Sequence, residues 1–302
     1  MMSNPRIGFI GFGEAAYHIC KGLGSEGLTQ IQAFDVMATD PIIGQRIRER
    51  AHLANVHLTM TLEDLVVKSS IIFCATSAKF ALKIAEEVAQ HMKEDQMYVD
   101  LNAASPKIKQ EISSMVSKGA GLFVDGSVMD PVPPHGHRVP IYVSGSGASS
   151  LYALLQPFGM NITVINDQAG SSSAIKMVRS IFMKGFTSLL LETLTAAYKS
   201  GIEKEIIESI NKTLSNQPIE ELTNMLLTRT AIHAERRVSE MSEVIETIRE
   251  SDLDDTMSRA TKKKLQKLAD LRLNEYFDYK SPDHFIKVLE AIFKQDIVQQ
   301  SR

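Results

Sequence analysis

The stretch that decides the fold is RIGFIGFGEAAYHI, residues 6–19. A short apolar strand ends in a G-x-G-x-x-A pattern, and an apolar-periodic helix follows at once. In such a turn the first glycine permits a tight bend, and the second leaves room for a pyrophosphate beside the backbone. The helix then offers free N–H groups and its positive dipole end to the phosphates. The pattern predicts a dinucleotide site that includes Gly11, Phe12, Gly13, Glu14 and Ala15.

Asp35 ends the second apolar segment, IQAFD, and stands 24 residues after Gly11. An acid about 20 residues after the glycines hydrogen-bonds the ribose hydroxyls of a dinucleotide. Because a carboxylate repels a 2′-phosphate, Asp35 favours NAD over NADP, although the residues leave both open. The alternative is that Asp35 only caps the turn that follows its strand.

Further strands and helices alternate through the first 165 residues, which predicts βαβ units and a mostly parallel sheet. The predicted strands are 6–10, 31–35, 55–59, 70–76, 97–101, 121–125 and 139–145. The predicted helices between them are 14–27, 41–53, 62–68, 78–92 and 106–118.

The rest of the chain changes character, because 14 of the 17 glycines and 8 of the 10 prolines lie in residues 1–165. Glycine and proline punctuate short elements, so their loss predicts long helices. The helical patterns are 169–200, 203–214, 218–247, 252–274 and 282–298. We therefore predict a doubly wound α/β domain of Rossmann type over residues 1–167 and an all-helical domain over 168–302.

Composition narrows the classes of protein. The 302 residues carry a net charge of −3, which argues against a protein that coats nucleic acid or an anionic membrane. Two cysteines make no disulfide framework, and no apolar run is long enough to span a membrane. With no signal-peptide pattern at the start, we expect a cytoplasmic protein. The long apolar helix 169–200 favours a homodimer that buries it.

Several segments resemble the motifs of the β-hydroxyacid dehydrogenases, which include 6-phosphogluconate and 3-hydroxyisobutyrate dehydrogenases. They are IGFIGFGEAA (7–16), CATSAKFA (74–81), YVDLNAASP (98–106), VDGSVMDPVPP (124–134) and AGSSSAIKMVRS (169–180). A further segment, HAERRVSEM (233–241), is similar to a different C-terminal helical domain of a poorly characterised subgroup.

The resemblance implies a reaction that oxidises a small β-hydroxy acid, or reduces its keto form, with NAD or NADP. Lys176 matches the lysine that serves as general acid/base at the carbon-bound hydroxyl, although a surface lysine is the ordinary fate of this residue. The nicotinamide side of the site is implied to include Ala75, Thr76 and Asn102.

Two departures from the family's pattern bear on the substrate. Ser180 stands where the family has asparagine, and Val128-Met129 replace a glycine pair that binds a substrate carboxylate. Ser127 remains a candidate hydroxyl donor to the substrate. His135-x-His137 nearby lacks the other ligands of a tetrahedral metal site, so we predict a mobile polar loop and no metal.

His233, Arg236 and Arg237 share one face of a predicted helix. An arginine fork suits a carboxylate or a phosphate on a small substrate. The resemblance implies that helices of the second domain, often from the partner subunit, close the active site. The alternative is a solvated face in which arginine pairs with Glu240.

Two other functions remain open. Related folds reduce C=N bonds of imines, a reaction in which the lysine matters less. A non-catalytic dinucleotide-binding sensor is the second alternative, because fold alone does not establish function.

Overall fold

The computed structural model describes residues 4–119 and 121–300, with the side chains of residues 298–300 excepted. The chain divides into two compact units, residues 1–181 and 182–302. This division falls inside a helix that begins at Ser171, whereas the predicted boundary between residues 167 and 168 lies just before that helix.

One sheet runs through the first unit, with the strand order β3-β2-β1-β4-β5-β6-β7-β8. All neighbours pair in parallel except β6 and β7, so the mostly parallel sheet is confirmed. The strands are β1 (Ile7–Ile10), β2 (Ile31–Phe34), β3 (His57–Leu58), β4 (Ile71–Cys74), β5 (Met97–Asp100), β6 (Leu122–Val128), β7 (Ile141–Ser144) and β8 (Ile162–Asn166).

Helices cover both faces of this sheet. Apolar side chains of α1, α2 and α7 belong to the cluster on one face, and those of α3, α4 and α5 belong to the cluster on the other. Strand residues alternate between the two clusters because successive side chains point to opposite faces. The helices are α1 (Glu14–Ser25), α2 (Ile43–Leu53), α3 (Leu62–Lys68), α4 (Ala81–Ala89), α5 (Pro106–Lys118), α6 (Val132–His135) and α7 (Ala148–Leu155).

Helix α7, strand β8 and the end of strand β6 were not predicted. Helix α7 and strand β8 follow the last predicted strand, and together they extend the sheet beyond β7. Strand β6 was predicted to end at Asp125 but continues to Val128, because residues 125–128 pair with the antiparallel β7.

The second unit is helical throughout its described elements, as predicted. Its helices follow the end of α8 (Ser171–Ser200) and are α9 (Glu203–Ser215), α10 (Ile219–Glu250), α11 (Thr256–Asp270), α12 (Leu273–Tyr276) and α13 (Phe285–Gln300). Small and branched residues of α10, α12 and α13, together with Leu271 just before α12, form its buried core cluster. No helix among the described residues is both long and apolar enough to cross a bilayer.

The predicted helix 252–274 was wrong at both ends. It begins only at Thr256, because the Glu192 carboxylate accepts the backbone N–H groups of Met257 at 2.6 Å and Ser258 at 2.8 Å. It ends at Asp270, since Arg272 takes a left-handed backbone conformation with φ of 48° before α12 begins.

Candidate functional site

The candidate site lies at the carboxyl ends of the parallel strands. After β1 the chain builds β2 and β3 on one side, then returns to place β4 on the other side of β1. In open α/β sheets such a reversal of strand order leaves a crevice where ligands bind. Three predicted residues, Gly11, Asp35 and Ala75, directly follow β1, β2 and β4, and the predicted Asn102 lies two residues after the end of β5. These predicted residues therefore gather at this edge.

Gly11 is required by the backbone itself. Its φ of 83° lies in the left-handed region, and an added Cβ would stand 2.6 Å from the Ala75 carbonyl oxygen. Its N–H donates to the carbonyl of Phe34 at 2.8 Å, which anchors the turn to β2. The neighbouring Phe12 side chain is fully buried in the core, so only its backbone faces the turn.

Gly13 meets a different requirement. An added Cβ would have no heavy atom within 4 Å, and no side chain caps the start of α1 at this residue. Glu14 and Ala15 form the first turn of α1. The open space in front of a helix N-terminus is the cradle that a pyrophosphate fills, so these residues fit a dinucleotide.

The Asp35 carboxylate holds the glycine turn in place. One oxygen accepts the Phe12 N–H at 2.8 Å, and the other accepts the Met37 N–H at 2.9 Å. The turn-capping alternative is therefore present in the structure. A carboxylate has about four acceptor positions, so two remain for ribose hydroxyls.

Thr76 and Asn102 join the ends of β4 and β5. The Asn102 side-chain oxygen accepts the Thr76 N–H at 2.8 Å, and its amide nitrogen donates to Asp100 Oδ1 at 2.6 Å and to the Cys74 Sγ at 3.3 Å. Asn102 is buried, so its amide serves the protein's own contacts. The exposed Thr76 is the member of this pair at the surface of the crevice.

A buried charge cluster lies beneath this edge, and the sequence reasoning missed it. Lys109 of α5 lies 3.1 Å from Asp100 Oδ2 and 3.3 Å from Asp125 Oδ1, and its Nζ donates to the Asp100 carbonyl at 2.7 Å. The spacing along α5 could have indicated that Lys109 is buried, because Lys109 lies on the same helix face as the apolar Ile112 and Val116.

The first turn of α8 is fixed to the sheet. Asp125 accepts the Ser173 N–H at 2.9 Å and the Ser173 hydroxyl at 2.6 Å, and the Ser172 hydroxyl donates to the Tyr142 carbonyl at 2.7 Å. A carboxylate here satisfies unpaired N–H groups and suits the positive end of the helix dipole. Lys176 and Ser180, both half-buried, follow on this helix.

The segment predicted to bind substrate lies partly inside the sheet. Ser127 is buried and pairs with Tyr142 across β6 and β7, and Val128 is the last residue of β6. The Met129 carbonyl accepts from Arg179 at 3.0 Å. Arg179 of α8 therefore anchors this segment, a contact that the sequence did not indicate.

The two histidines that follow do not share a site. His137 is buried beside α1, with Nε2 3.5 Å from Glu26 Oε1, whereas His135 is exposed. Residues 132–135 form α6, so a mobile loop was the wrong description of this segment. No group of three or more His, Cys, Asp or Glu residues in the described parts of the chain is arranged to hold a metal.

Helix α10 of the second unit is kinked at His233, where φ is −115° and ψ is 24°. Arg236 forms the solvated pair with Glu240, at 3.5 Å, that the alternative interpretation expected. Arg237 is half-buried, and among the described residues its Nε has no hydrogen-bond partner.

Known sequence families match two parts of the chain. Residues 6–104 match the family described as NADP oxidoreductase, coenzyme F420-dependent. Residues 197–268 match DUF1932, a domain of unknown function.

Relatives match nearly the whole length. An uncharacterized 28.5 kDa protein in the 7S RNA 5′ region of Methanothermus fervidus is 29% identical over 259 residues, which is 85% of this chain and 96% of that protein. A conserved protein of unknown function has a solved structure that is described as similar to 3-hydroxyacid dehydrogenases. Its sequence is 34% identical to this chain, and the two structures superpose with a TM-score of 0.58. The match covers 89% of this chain and 98% of the other.

An imine reductase from Myxococcus stipitatus in complex with NADP+ has a TM-score of 0.73 at 17% identity, over 90% of this chain and 100% of that one. At this identity the likeness concerns the fold, which is one found among nucleotide-dependent oxidoreductases. With the glycine turn, the strand-end residues and the 34% identical relative, the chain belongs to the β-hydroxyacid dehydrogenase-like family that includes 6-phosphogluconate and 3-hydroxyisobutyrate dehydrogenases, in the subgroup with a DUF1932 helical domain.

Proposed function

We propose that this protein is an NAD(P)-dependent oxidoreductase that transfers a hydride between nicotinamide and a small β-hydroxy acid or its keto form. The observation that carries the proposal is the convergence at one sheet edge. The open cradle at Gly13, the Asp35 carboxylate and the exposed Thr76 all lie at strand ends. Asp125 of β6, two strands from β4, fixes the first turn of the helix that bears Lys176.

Different residues bind different parts of the cofactor. The turn at Gly11–Ala15 receives the pyrophosphate, Asp35 accepts from the adenosine ribose, and Ala75 and Thr76 line the nicotinamide side. The nicotinamide supplies the hydride chemistry itself when it is bound.

Lys176 moves the proton. Oxidation of a hydroxyl requires that its proton be removed as the hydride leaves, and the reverse reaction requires that the proton be returned. Lys176 is half-buried and one helical turn after Ser173, on the face of α8 that is fixed to the sheet edge.

The cofactor is tested by titrating the purified protein with NADH and NADPH and following the cofactor's own fluorescence. The chain has no tryptophan, so protein emission is a poor probe. We expect both to bind and NADH to bind more tightly, because the Asp35 carboxylate repels a 2′-phosphate. Tighter binding of NADPH contradicts the role of Asp35, and no binding of either at high micromolar concentration contradicts the proposed function.

The reaction is tested with a panel of small β-hydroxy acids and their keto forms. We expect Lys176→Ala to lower kcat by at least about 100-fold, the loss typical of a missing general acid/base, and to leave the cofactor Kd unchanged within about twofold. Lys184→Ala is the matched control, since Lys184 is an exposed lysine of the same helix. Equal rates for wild type and Lys176→Ala contradict the role of the lysine.

Imine reduction is the second candidate, supported by the likeness in fold to imine reductases. A panel of cyclic imines with the reduced cofactor distinguishes the two. Turnover of imines that survives in Lys176→Ala supports this candidate. Binding of cofactor without turnover of either panel favours a sensor instead.

A homodimer completes the proposal. Large apolar residues lie exposed along α8 in the second unit, among them Leu191 and Tyr198. The exposed apolar surface that they form is larger than a water-facing helix ordinarily shows. We propose that a second copy of the chain packs against it.

A further inference from the structure

Lys109 is a buried cation between two buried carboxylates. The side chains of Lys109, Asp100 and Asp125 are all 0% exposed, and the cluster carries one net negative charge when all three are ionised. The two aspartates are register partners on the neighbouring parallel strands β5 and β6. The backbones of neighbouring strands lie about 4.8 Å apart, so the two carboxylates repel each other unless a cation lies between them.

One side of the cluster leads to the nicotinamide side of the proposed site. Asp100 Oδ1 accepts the backbone N–H of Asn102 at 3.0 Å and its side-chain amide at 2.6 Å. The oxygen of that same amide accepts the Thr76 N–H at 2.8 Å. The orientation of the Asp100 carboxylate therefore sets the position of Thr76.

The other side leads to the proposed catalytic helix. Asp125 binds both the N–H and the hydroxyl of Ser173 in the first turn of α8. Lys176 comes one turn later on the same helix face, so a shift of Asp125 moves Lys176 with it.

Stability alone is a weak reason to bury this cluster. Removing ions from water is costly in free energy, and a cluster of apolar side chains of similar volume is often as stable or more stable. A buried ion network does, however, fix the relative placement of the groups bonded to it.

We propose that Lys109 is a positioning residue for the reaction. Its ammonium group sets the distance between the Thr76–Asn102 pair and the first turn of α8, and so holds Lys176 in register with the nicotinamide. This proposal rests on the proposed function. Lys109 itself touches no reactant and acts through Asp100 and Asp125.

The test compares binding of two ligands to Lys109→Met. One is the cofactor that wild type binds more tightly, and the other is ADP-ribose with the matching 2′ group, which lacks only the nicotinamide. We expect the cofactor Kd to rise about tenfold, the scale of a small misplacement, and the ADP-ribose Kd to stay within about twofold. Equal changes in both, or no change in either, overturn the proposal.

Hydrogen exchange read by mass spectrometry gives a second measurement that needs no ligand. In Lys109→Met we expect faster exchange in residues 74–78 and 171–177 together, with exchange elsewhere in the sheet unchanged. Lys107→Met is the matched control, because Lys107 is an exposed lysine of the same helix. Uniformly faster exchange indicates loss of stability only and overturns the proposal.

Two further variants keep the test decisive if Lys109→Met fails to fold. The triple variant Lys109→Met, Asp100→Asn, Asp125→Asn removes every charge of the cluster. We expect it to regain the wild-type melting temperature and yet keep the selective loss of cofactor affinity. If the melting temperature and the cofactor affinity both recover, the loss in Lys109→Met came only from the unbalanced buried charge, and the positioning role is contradicted.

Ser173→Ala removes one bond of the α8 side, the 2.6 Å contact with Asp125. We expect faster exchange in 171–177 alone, and unchanged exchange there contradicts that side of the proposal. If wild type binds neither cofactor, the proposed function fails, and the exchange measurements still decide whether Lys109 links the two segments.

Discussion

At the scale of single residues, the two glycines of the opening motif have separate physical reasons. Gly11 is held by the protein's own backbone, because its φ is positive and Ala75 leaves no room for a Cβ. Gly13 has an ordinary φ of −75° and open space around it. The fold therefore does not require glycine here, and we propose that the missing side chain leaves room for the cofactor's pyrophosphate.

Alanine at each glycine separates the two reasons. We expect Gly11→Ala to lower the free energy of unfolding by about 2–4 kcal/mol, from the positive φ and the backbone clash. Gly13→Ala should cost less than about 1 kcal/mol as a poorer helix N-cap, yet weaken cofactor binding by at least about tenfold. Urea denaturation and cofactor fluorescence measure the two quantities. Unchanged cofactor affinity in Gly13→Ala contradicts the cradle.

At the scale of elements, two helices begin where a carboxylate distant in sequence supplies acceptors. Asp125 does so for α8, and Glu192 of α8 does so for α11. Each carboxylate replaces the local N-cap side chain that a helix ordinarily uses. Such starts depend on tertiary contacts, which is why the start of α11 was predicted four residues too early.

Glu192→Ala tests this for α11. It leaves the N–H groups of Met257 and Ser258 without their acceptor, so we expect a loss of about 1–3 kcal/mol in the free energy of unfolding. Glu208→Ala removes an exposed glutamate of α9 and should change stability by less than about 0.5 kcal/mol. Thermal denaturation of both variants makes the comparison, and equal losses argue against the cap.

The contact between α1 and residues 136–138 predicts that the stability of the folded protein depends on pH. Burial lowers the pKa of His137 below its ordinary value, although Glu26 opposes this and Arg138 adds to it. The folded state therefore binds fewer protons at this group than the unfolded state does. Stability from the neutral ring is complete above the unfolded pKa of about 6.5 and is lost as the pH falls below it.

We expect the melting temperature of wild type to fall from about pH 7.5 to about pH 5, and to fall less in His137→Asn. Glu26 titrates outside this window, because the hydrogen bond from Arg138 lowers the pKa of its carboxyl. Differential scanning calorimetry at several pH values gives the two slopes. Identical slopes contradict the contribution of His137.

At the scale of the whole molecule, the proposed dimer accounts for the apolar surface of α8. Leu191 is 70% exposed and Tyr198 77% exposed, and with Leu190 and Leu194 they line one shallow apolar groove. Burying a large apolar side chain contributes about 1.5–3 kcal/mol, so several of them support a stable interface.

Light scattering coupled to gel filtration tests the assembly. We expect a mass of twice the 33.5 kDa of one chain, and the single-chain mass for the variant Leu191→Glu, Tyr198→Glu. Ile42→Glu is the control, because Ile42 is 84% exposed in the first unit. A monomeric wild type contradicts the dimer.

The sequence by itself determined the features that are written locally. The glycine turn, the alternation of strands with helices and the long helices of the second unit follow from spacing and from glycine and proline content. The order of Gly11 and Asp35 also predicted a place for the cofactor, because a βαβ unit brings the two strand ends together.

Only the tertiary structure decided what depends on partners distant in the chain. The extension of β6 needed β7, the start of α11 needed Glu192, and the placement of Lys109 needed two strands that meet only in the folded sheet. The position of a lysine on an apolar helix stripe does not by itself predict that the lysine is buried. A buried charge is tolerated only where carboxylates from other elements compensate it.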